Sequence, residues 1–147
     1  MEEIEAFNAE SMLTLLAAIE RRDRELLQKL YHPNIEFHWP PGLPYSGVYK
    51  GEAVAKMQEC FGSIWFPLQP TDERRQMNSR VLATSPQGRV IINYTWKGLS
   101  HDGVSFETET LADYLVEDGR LRRAQMFYYD LPGVIEFLKR CGSIPSA

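Results

Sequence analysis

Val104-Ser105-Phe106-Glu107-Thr108-Glu109-Thr110-Leu111-Ala112-Asp113-Tyr114-Leu115-Val116, closed by Glu117-Asp118-Gly119, is the stretch that decides the fold of this chain. Its alternation is that of a strand with two unlike faces. Val104, Phe106, Thr108, Thr110, Ala112, Tyr114 and Val116 share one face. Ser105, Glu107, Glu109 and Asp113 share the other, with Leu111 and Leu115. Burying three acids without partners is costly, so the first set faces a core and the acids face solvent or a partner subunit. Glu117-Asp118-Gly119 is a tight hairpin signal. Ser85-Pro86-Gln87-Gly88 and His101-Asp102-Gly103 are two more. The three turns cut this half of the chain into four strands, Met77–Thr84, Arg89–Leu99, Val104–Val116 and Leu121–Asp130. On the second, Val90, Ile92, Tyr94 and Trp96 form the more apolar face. On the last, Ala124, Met126, Tyr128 and Asp130 alternate with Gln125, Phe127 and Tyr129. Both faces of that strand are apolar, and an apolar outer face argues for a homodimer formed sheet to sheet.

The first half of the chain reads as helices. Ile4, Phe7, Leu13, Leu16 and Ile19 recur at helical spacing until Arg21-Arg22-Asp23 interrupts them. Asp23 caps a second helix running through Leu30, and Pro33 disfavours helical geometry at His32. Ile35–Trp39 alternates as a strand with Phe37 and Trp39 inward. Pro40-Pro41-Gly42-Leu43-Pro44 lacks three ladder donors and makes a loop through Tyr45-Ser46-Gly47. Gly51-Glu52 opens a third helix to about Phe61. Ile64-Trp65-Phe66-Pro67-Leu68 reads as an unusually apolar loop, and a short helix closes the chain after Asp130. Helices first and a meander afterwards predict an α+β domain: a curved antiparallel sheet on three N-terminal helices, with a cavity between the layers.

Composition sets limits on function. A chain of 147 residues predicts one domain spanning 1–147. Aromatic residues make up 12%, enough for some to line a cavity. The formal charge of −4 makes nucleic acid a poor partner. No apolar run is long enough to span a bilayer, and Met1-Glu2-Glu3 lacks the basic start of a signal peptide, so a cytoplasmic protein is expected. Cys60 and Cys141 form no paired motif. His32, His38 and His101 share no metal-ligand spacing, and there is no Gly-rich phosphate loop. No metal and no organic cofactor is expected.

The candidate site lies on the inward strand faces. A carboxyl group against an apolar wall holds its proton more tightly and can serve as acid or base near neutral pH, which makes Asp130 the candidate catalyst. The alternative is that Asp130, just before Leu131-Pro132-Gly133, caps the closing helix. Tyr128 and Tyr94 are candidates to hold a substrate carbonyl. Trp39, Tyr45, Trp65 and Trp96 are candidate pocket walls, with plain core as the alternative. Phe106, Thr108 and Met126 join them as candidate ligand contacts. His38 sits on the opposite face from Phe37 and Trp39, which favours a surface or interface histidine over a general base.

Four segments carry a resemblance: Leu30-Tyr31-His32-Pro33-Asn34-Ile35-Glu36-Phe37-His38, Ser46-Gly47-Val48-Tyr49-Lys50-Gly51, Glu117-Asp118-Gly119-Arg120-Leu121 and Tyr128-Tyr129-Asp130. Through them the chain resembles the nuclear transport factor two-like superfamily, and within it the SnoaL-like polyketide cyclase and ketosteroid isomerase branch. The resemblance implies a cone of curved sheet with three helices, a deep apolar pocket and often a homodimer. It does not carry every activity over. The general base of ketosteroid isomerases falls at Trp39, which cannot abstract a proton. The Arg and Asp of limonene-type epoxide hydrolases fall at Tyr94 and Trp96. The single acid of SnoaL-like cyclases falls at Asp130. The run from Gly119 to Asp130 is one residue longer than the family pattern, and a β-bulge at Arg122-Arg123 would reset which side chains point inward.

Three functions follow. The first is a cyclase- or isomerase-type enzyme acting on an apolar carbonyl compound through Asp130, with Tyr128 or Tyr94 steadying an oxyanion. The second is a binder that holds a hydrophobic small molecule without chemistry. The third is a dimerisation or accessory domain with a vestigial pocket. Fold alone does not choose among them.

Overall fold

The computed structural model describes residues 2–145. Two helices open it, α1 (Glu3–Arg21) and α2 (Arg24–Leu30). α1 buries Met12, Leu15, Leu16 and Ala18 on one stripe. It ends at Arg22 in a left-handed turn (φ 57°), where the Asp23 N–H bonds Ala18 O at 2.9 Å. A non-glycine residue in that region costs about 1–2 kcal/mol, so the turn needs compensation elsewhere. Asp23 caps α2 as expected, its Oδ1 accepting from the Leu26 N–H at 3.2 Å.

β1 (Tyr31–Trp39) follows at once, four residues earlier than expected. It runs through Pro33 because its pairing skips that residue: Tyr31 faces Leu121 and Glu36 faces Arg123, with a register break between. A missing donor costs nothing where no ladder bond is made. β2 (Gly47–Lys50) returns against β1, between the expected loop ending at Gly47 and the third helix, where no strand was expected. α3 (Ala53–Trp65) continues four residues past its expected end into a 3-10 turn (Phe66–Leu68), so the apolar "loop" is mostly helix. A single turn, α4 (Asp72–Arg75), precedes β3 (Arg80–Thr84). β4 (Arg89–Leu99), β5 (Ser105–Glu117) and β6 (Arg120–Tyr128) form the meander, and α5 (Leu131–Arg140) closes the described chain.

The six strands make one open, curved sheet in the order β2-β1-β6-β5-β4-β3. The expected antiparallel sheet is mixed at one seam: β1 and β6 run parallel, and every other neighbouring pair is antiparallel. The first strand can lie parallel to the last because a long crossover of helices and strands separates them. Two turns show why the meander forms. Asp118 and Gly119 both take positive φ (54° and 72°), the geometry that matches strand twist in a two-residue hairpin. Gly88 (φ 99°) lies so close to the next hairpin that a Cβ there would meet Val116 O at 2.4 Å.

The bulge expected in the last strand is present. Leu115 faces Arg123 while Val116 faces Leu121, so Arg122 is the extra residue on β6. Leu121 and Ala124 are therefore both buried although three apart, and Met126 and Tyr128 follow inward. Arg122 is kept occupied by β1, its Nη1 donating to Asn34 O at 2.6 Å and Glu36 Oε2 at 3.2 Å.

From Phe106 onward the inward face of β5 faces the helices as expected; Val104 is exposed before the strand begins. Two of the outward acids are answered by β4, Arg89 Nε donating to Asp113 at 2.8 Å and the Thr95 hydroxyl to Glu109 at 2.7 Å, and Glu107 stands exposed. Phe127, Tyr129 and Val48 stand exposed among them.

Candidate functional site

Between the inward sheet face and the helices lies a cavity of about 520 Å³. That is ligand-sized, within the roughly 300–1,000 Å³ usual for small-molecule pockets and far above a packing defect. Leu15 and Leu16 of α1, Met57 and Phe61 of α3, and Phe37, Trp39, Tyr94, Trp96, Tyr114 and Met126 of the sheet form its inner wall. The inward alternation of four strands puts these residues together. The aromatic rings brace one another: Trp39 stacks on Phe61 (centroids 5.2 Å, 25°), and Tyr94 meets Trp96 edge-on (6.3 Å, 77°). The Trp39 indole N–H donates to Met57 Sδ at 3.3 Å.

The polar groups in this wall are phenols and indoles. Tyr94 and Tyr114 line the cavity, and among the described residues neither hydroxyl makes a hydrogen bond. The Tyr31 hydroxyl accepts from Gln58 Nε2 at 2.8 Å. Behind the wall the Trp65 indole N–H donates to the Tyr45 hydroxyl at 3.0 Å, which is 2.7 Å from the Tyr128 hydroxyl. An indole nitrogen only donates. Three hydrogens therefore share two bonds, and one hydroxyl hydrogen of the Tyr45–Tyr128 pair has no protein acceptor. Thr110, facing Tyr94 on one side and Tyr128 on the other, has a buried Oγ1 without a partner, and Trp96 Nε1 is in the same condition.

Burial pushes the Tyr94 hydroxyl well above the usual phenol range, and nearby Tyr114 and Tyr45 push it further. Burial does the same to Tyr128, with Tyr45 and Tyr94 adding to it. Tyr31, Tyr45 and Tyr114 are raised by burial as well. All of them stay protonated at neutral pH. These tyrosines can thus donate to a ligand and are not bases at neutral pH.

The structure places the expected site residues in three groups. Trp39, Tyr94, Trp96 and Met126 line the cavity. Tyr45, Trp65 and Tyr128 are buried behind it, tied by the hydrogen bonds above. Phe106, Thr108 and Asp130 lie elsewhere, and the expectation for each is corrected. Phe106 stacks on Phe137 (5.0 Å, 17°) in a shallow groove between the start of β5 and α5. The Thr108 hydroxyl accepts from the Asp130 N–H at 3.1 Å and donates to Glu109 O at 3.1 Å, so it serves the backbone.

Asp130 is the main correction. Its side chain is exposed, and its Oδ1 accepts from the Gly133 N–H at 3.0 Å as the cap of α5. β6 ends at Tyr128, and the chain turns into the helix with Pro132 in its first turn. Inward parity would have aimed Asp130 at the cavity only if the strand had continued. Among the described residues Glu59, exposed, is the one carboxylate on the cavity wall. His38 is on the outer face, 3.3 Å from both Glu36 Oε1 and Arg123 Nε.

Tyr114, Phe61 and Arg22 are wall residues that were not singled out from sequence. Strand parity already put Tyr114 inward and helical spacing put Phe61 inward. No sequence signal marks Arg22, which depends on a left-handed turn.

One group among the described residues has metal-ligand composition, His32, Glu117 and Asp118, with ligand atoms within 4.8 Å of one another. Both ring nitrogens of His32 are engaged, Nδ1 accepting from the Asn34 N–H at 3.0 Å and Nε2 lying 2.6 Å from Glu117. That is a hydrogen-bonded His–Glu pair anchoring the β5–β6 turn. No helix among the described residues is long and apolar enough to cross a membrane.

No family model and no curated protein matches the chain. Solved structures do. Bal32a, from a soil-derived mobile gene cassette, is 22% identical, with a TM-score of 0.74 over 91% of this chain and 98% of its own. TerC, co-crystallised with polyporic acid, is 18% identical, with a TM-score of 0.75 over 90% and 98%. An NTF2-like protein from Burkholderia thailandensis is 21% identical, with a TM-score of 0.66 over 88% and 95%. The architecture is the nuclear transport factor two-like fold, as the resemblance implied.

Proposed function

We propose that this chain is a binder of an apolar, planar small molecule bearing a hydrogen-bond acceptor such as a carbonyl. The observation that carries the reading is the aromatic cavity whose Tyr94 and Tyr114 hydroxyls have no protein partner. These hydroxyls line the open cavity rather than being sealed in the core, and a ligand oxygen beside one gains a hydrogen bond worth about 1 kcal/mol. TerC, similar in fold, was co-crystallised with a small molecule, polyporic acid. The acid–base reading, a SnoaL-like cyclase or isomerase, needs a proton carrier in the cavity. Asp130 serves as a helix cap, Glu59 is exposed, and the protonated tyrosines inside offer hydrogen bonds but no base.

The test is a titration with fluorenone and with fluorene, which differ by one carbonyl, read by quenching of tryptophan emission. Fluorenone binds more tightly, and Tyr94→Phe weakens it by about tenfold, the worth of one good hydrogen bond. Fluorene affinity stays the same in the variant. Absence of quenching by either compound removes the binder reading. Turnover of a carbonyl ligand would restore the enzyme reading.

Residues 1–147 read as one domain, and the exposed Phe127, Tyr129 and Val48 support a homodimer through the outer sheet face. Sedimentation equilibrium giving only the 16.9 kDa monomer at micromolar concentration would rule the dimer out.

A further inference from the structure

The rim of the cavity carries more positive charge than it answers. The exposed members of the wall are Arg24 and Gln28 on α2, Ala55 and Glu59 on α3, and Phe66 beyond it, so the cavity opens between these two helices. Arg22 sits at this opening, half-buried. Its guanidinium lies over the Phe66 ring, 4.1 Å from the centroid, and Nη2 donates to Phe66 O at 3.1 Å and Gln69 O at 3.2 Å. The Nε and Nη1 donors have no protein partner among the described residues. Burial, and then the neighbouring Arg75, pulls the Arg22 pKa down.

Arg24 makes no hydrogen bond and no ion pair among the described residues, and Glu59 pairs with neither arginine. The chain as a whole carries −4, so this local excess of cation is no reflection of its composition. Arg22 is also held still by its stacking and its two carbonyls. A planar guanidinium fixed in advance loses little freedom on meeting an anionic oxygen group.

We propose that the ligand is an amphipathic anion, its apolar body inside the cavity and a carboxylate or sulfonate group at its trailing end, held at the rim by Arg22 and Arg24. The inference rests on the cavity being a ligand site. It adds the charge and orientation of the ligand, since the neutral acceptor meets the tyrosines inside and the anion stays at the mouth.

Two fluorogenic probes separate the two readings: 1-anilinonaphthalene-8-sulfonate and N-phenyl-1-naphthylamine, which share a body and differ by the sulfonate. The sulfonate binds about tenfold more tightly, the worth of a charge-assisted hydrogen bond. Arg24→Gln, at an exposed position, shrinks that preference about threefold, as expected for a solvent-facing ion pair. Arg22→Gln removes most of the rest, the preference being read as the ratio of the two probe affinities within each variant. Equal affinities in the unaltered protein, or a preference that survives in both variants, overturn the inference and leave the cavity reading standing. If neither probe binds, the cavity reading falls and this inference with it.

Discussion

At the scale of single residues, the structure moves Asp130 from chemistry to architecture. Its carboxylate meets the Gly133 N–H at 3.0 Å, and its backbone is held by Thr108. Asp130→Ala should therefore cost about 1 kcal/mol of stability, the usual worth of a helix cap, and leave fluorenone affinity unchanged. Urea unfolding and the titration together check this. A loss of affinity at unchanged stability would return the carboxylate to the site. Trp39, Tyr94, Trp96 and Met126 were legible because parity alone decides which face a mid-strand side chain joins. Asp130 stayed open between cavity acid and helix cap, because parity does not say where a strand stops. Phe106 and Thr108 share the face of Thr110 but lie beyond the cavity toward α5, and alternation carries no information about position along a curved sheet.

Among the elements, the limits of β4 match the sequence reading residue for residue, because a Gly-containing turn stands at each end. β5 and β6 shift by one residue at their starts for the same reason read less sharply. β2 escaped notice, being four residues with no apolar alternation to announce it. The bulge at Arg122 was legible only through the family length, since nothing local in Arg120–Arg123 marks the residue that lacks a partner across the hairpin. Gly88 shows how tightly the turns are packed. Its Cα faces Val116 O, and its φ is positive. Gly88→Ala should lower stability by more than about 1 kcal/mol, since strain and a backbone clash add. A thermal midpoint equal to that of the unaltered protein would mean that the β3–β4 and β5–β6 turns separate in solution.

The molecule as a whole buries several phenols, and these set its response to alkali. Tyr94 and Tyr128 hold their protons in the folded state at pH values where the unfolded chain, near the ordinary value of 10.0, has lost them. The folded state then binds more protons than the unfolded one, so stability is full below about pH 10 and falls as pH rises above it. Urea midpoints from pH 8 to 11 test this. Tyr128→Phe flattens the decline, and a midpoint that stays level to pH 11 would mean that these hydroxyls are reached by water. The strand order has a consequence for synthesis. β1 and β2 emerge from the ribosome first, yet β1 joins the rest of the sheet only through β6, the last strand to be made. Until then Phe37 and Trp39 have only the short β2 beside them, and the pairing groups of β1 toward β6 stay open. The nascent chain should therefore need shelter from aggregation through most of its translation, and complete its sheet only after β6 has left the exit tunnel.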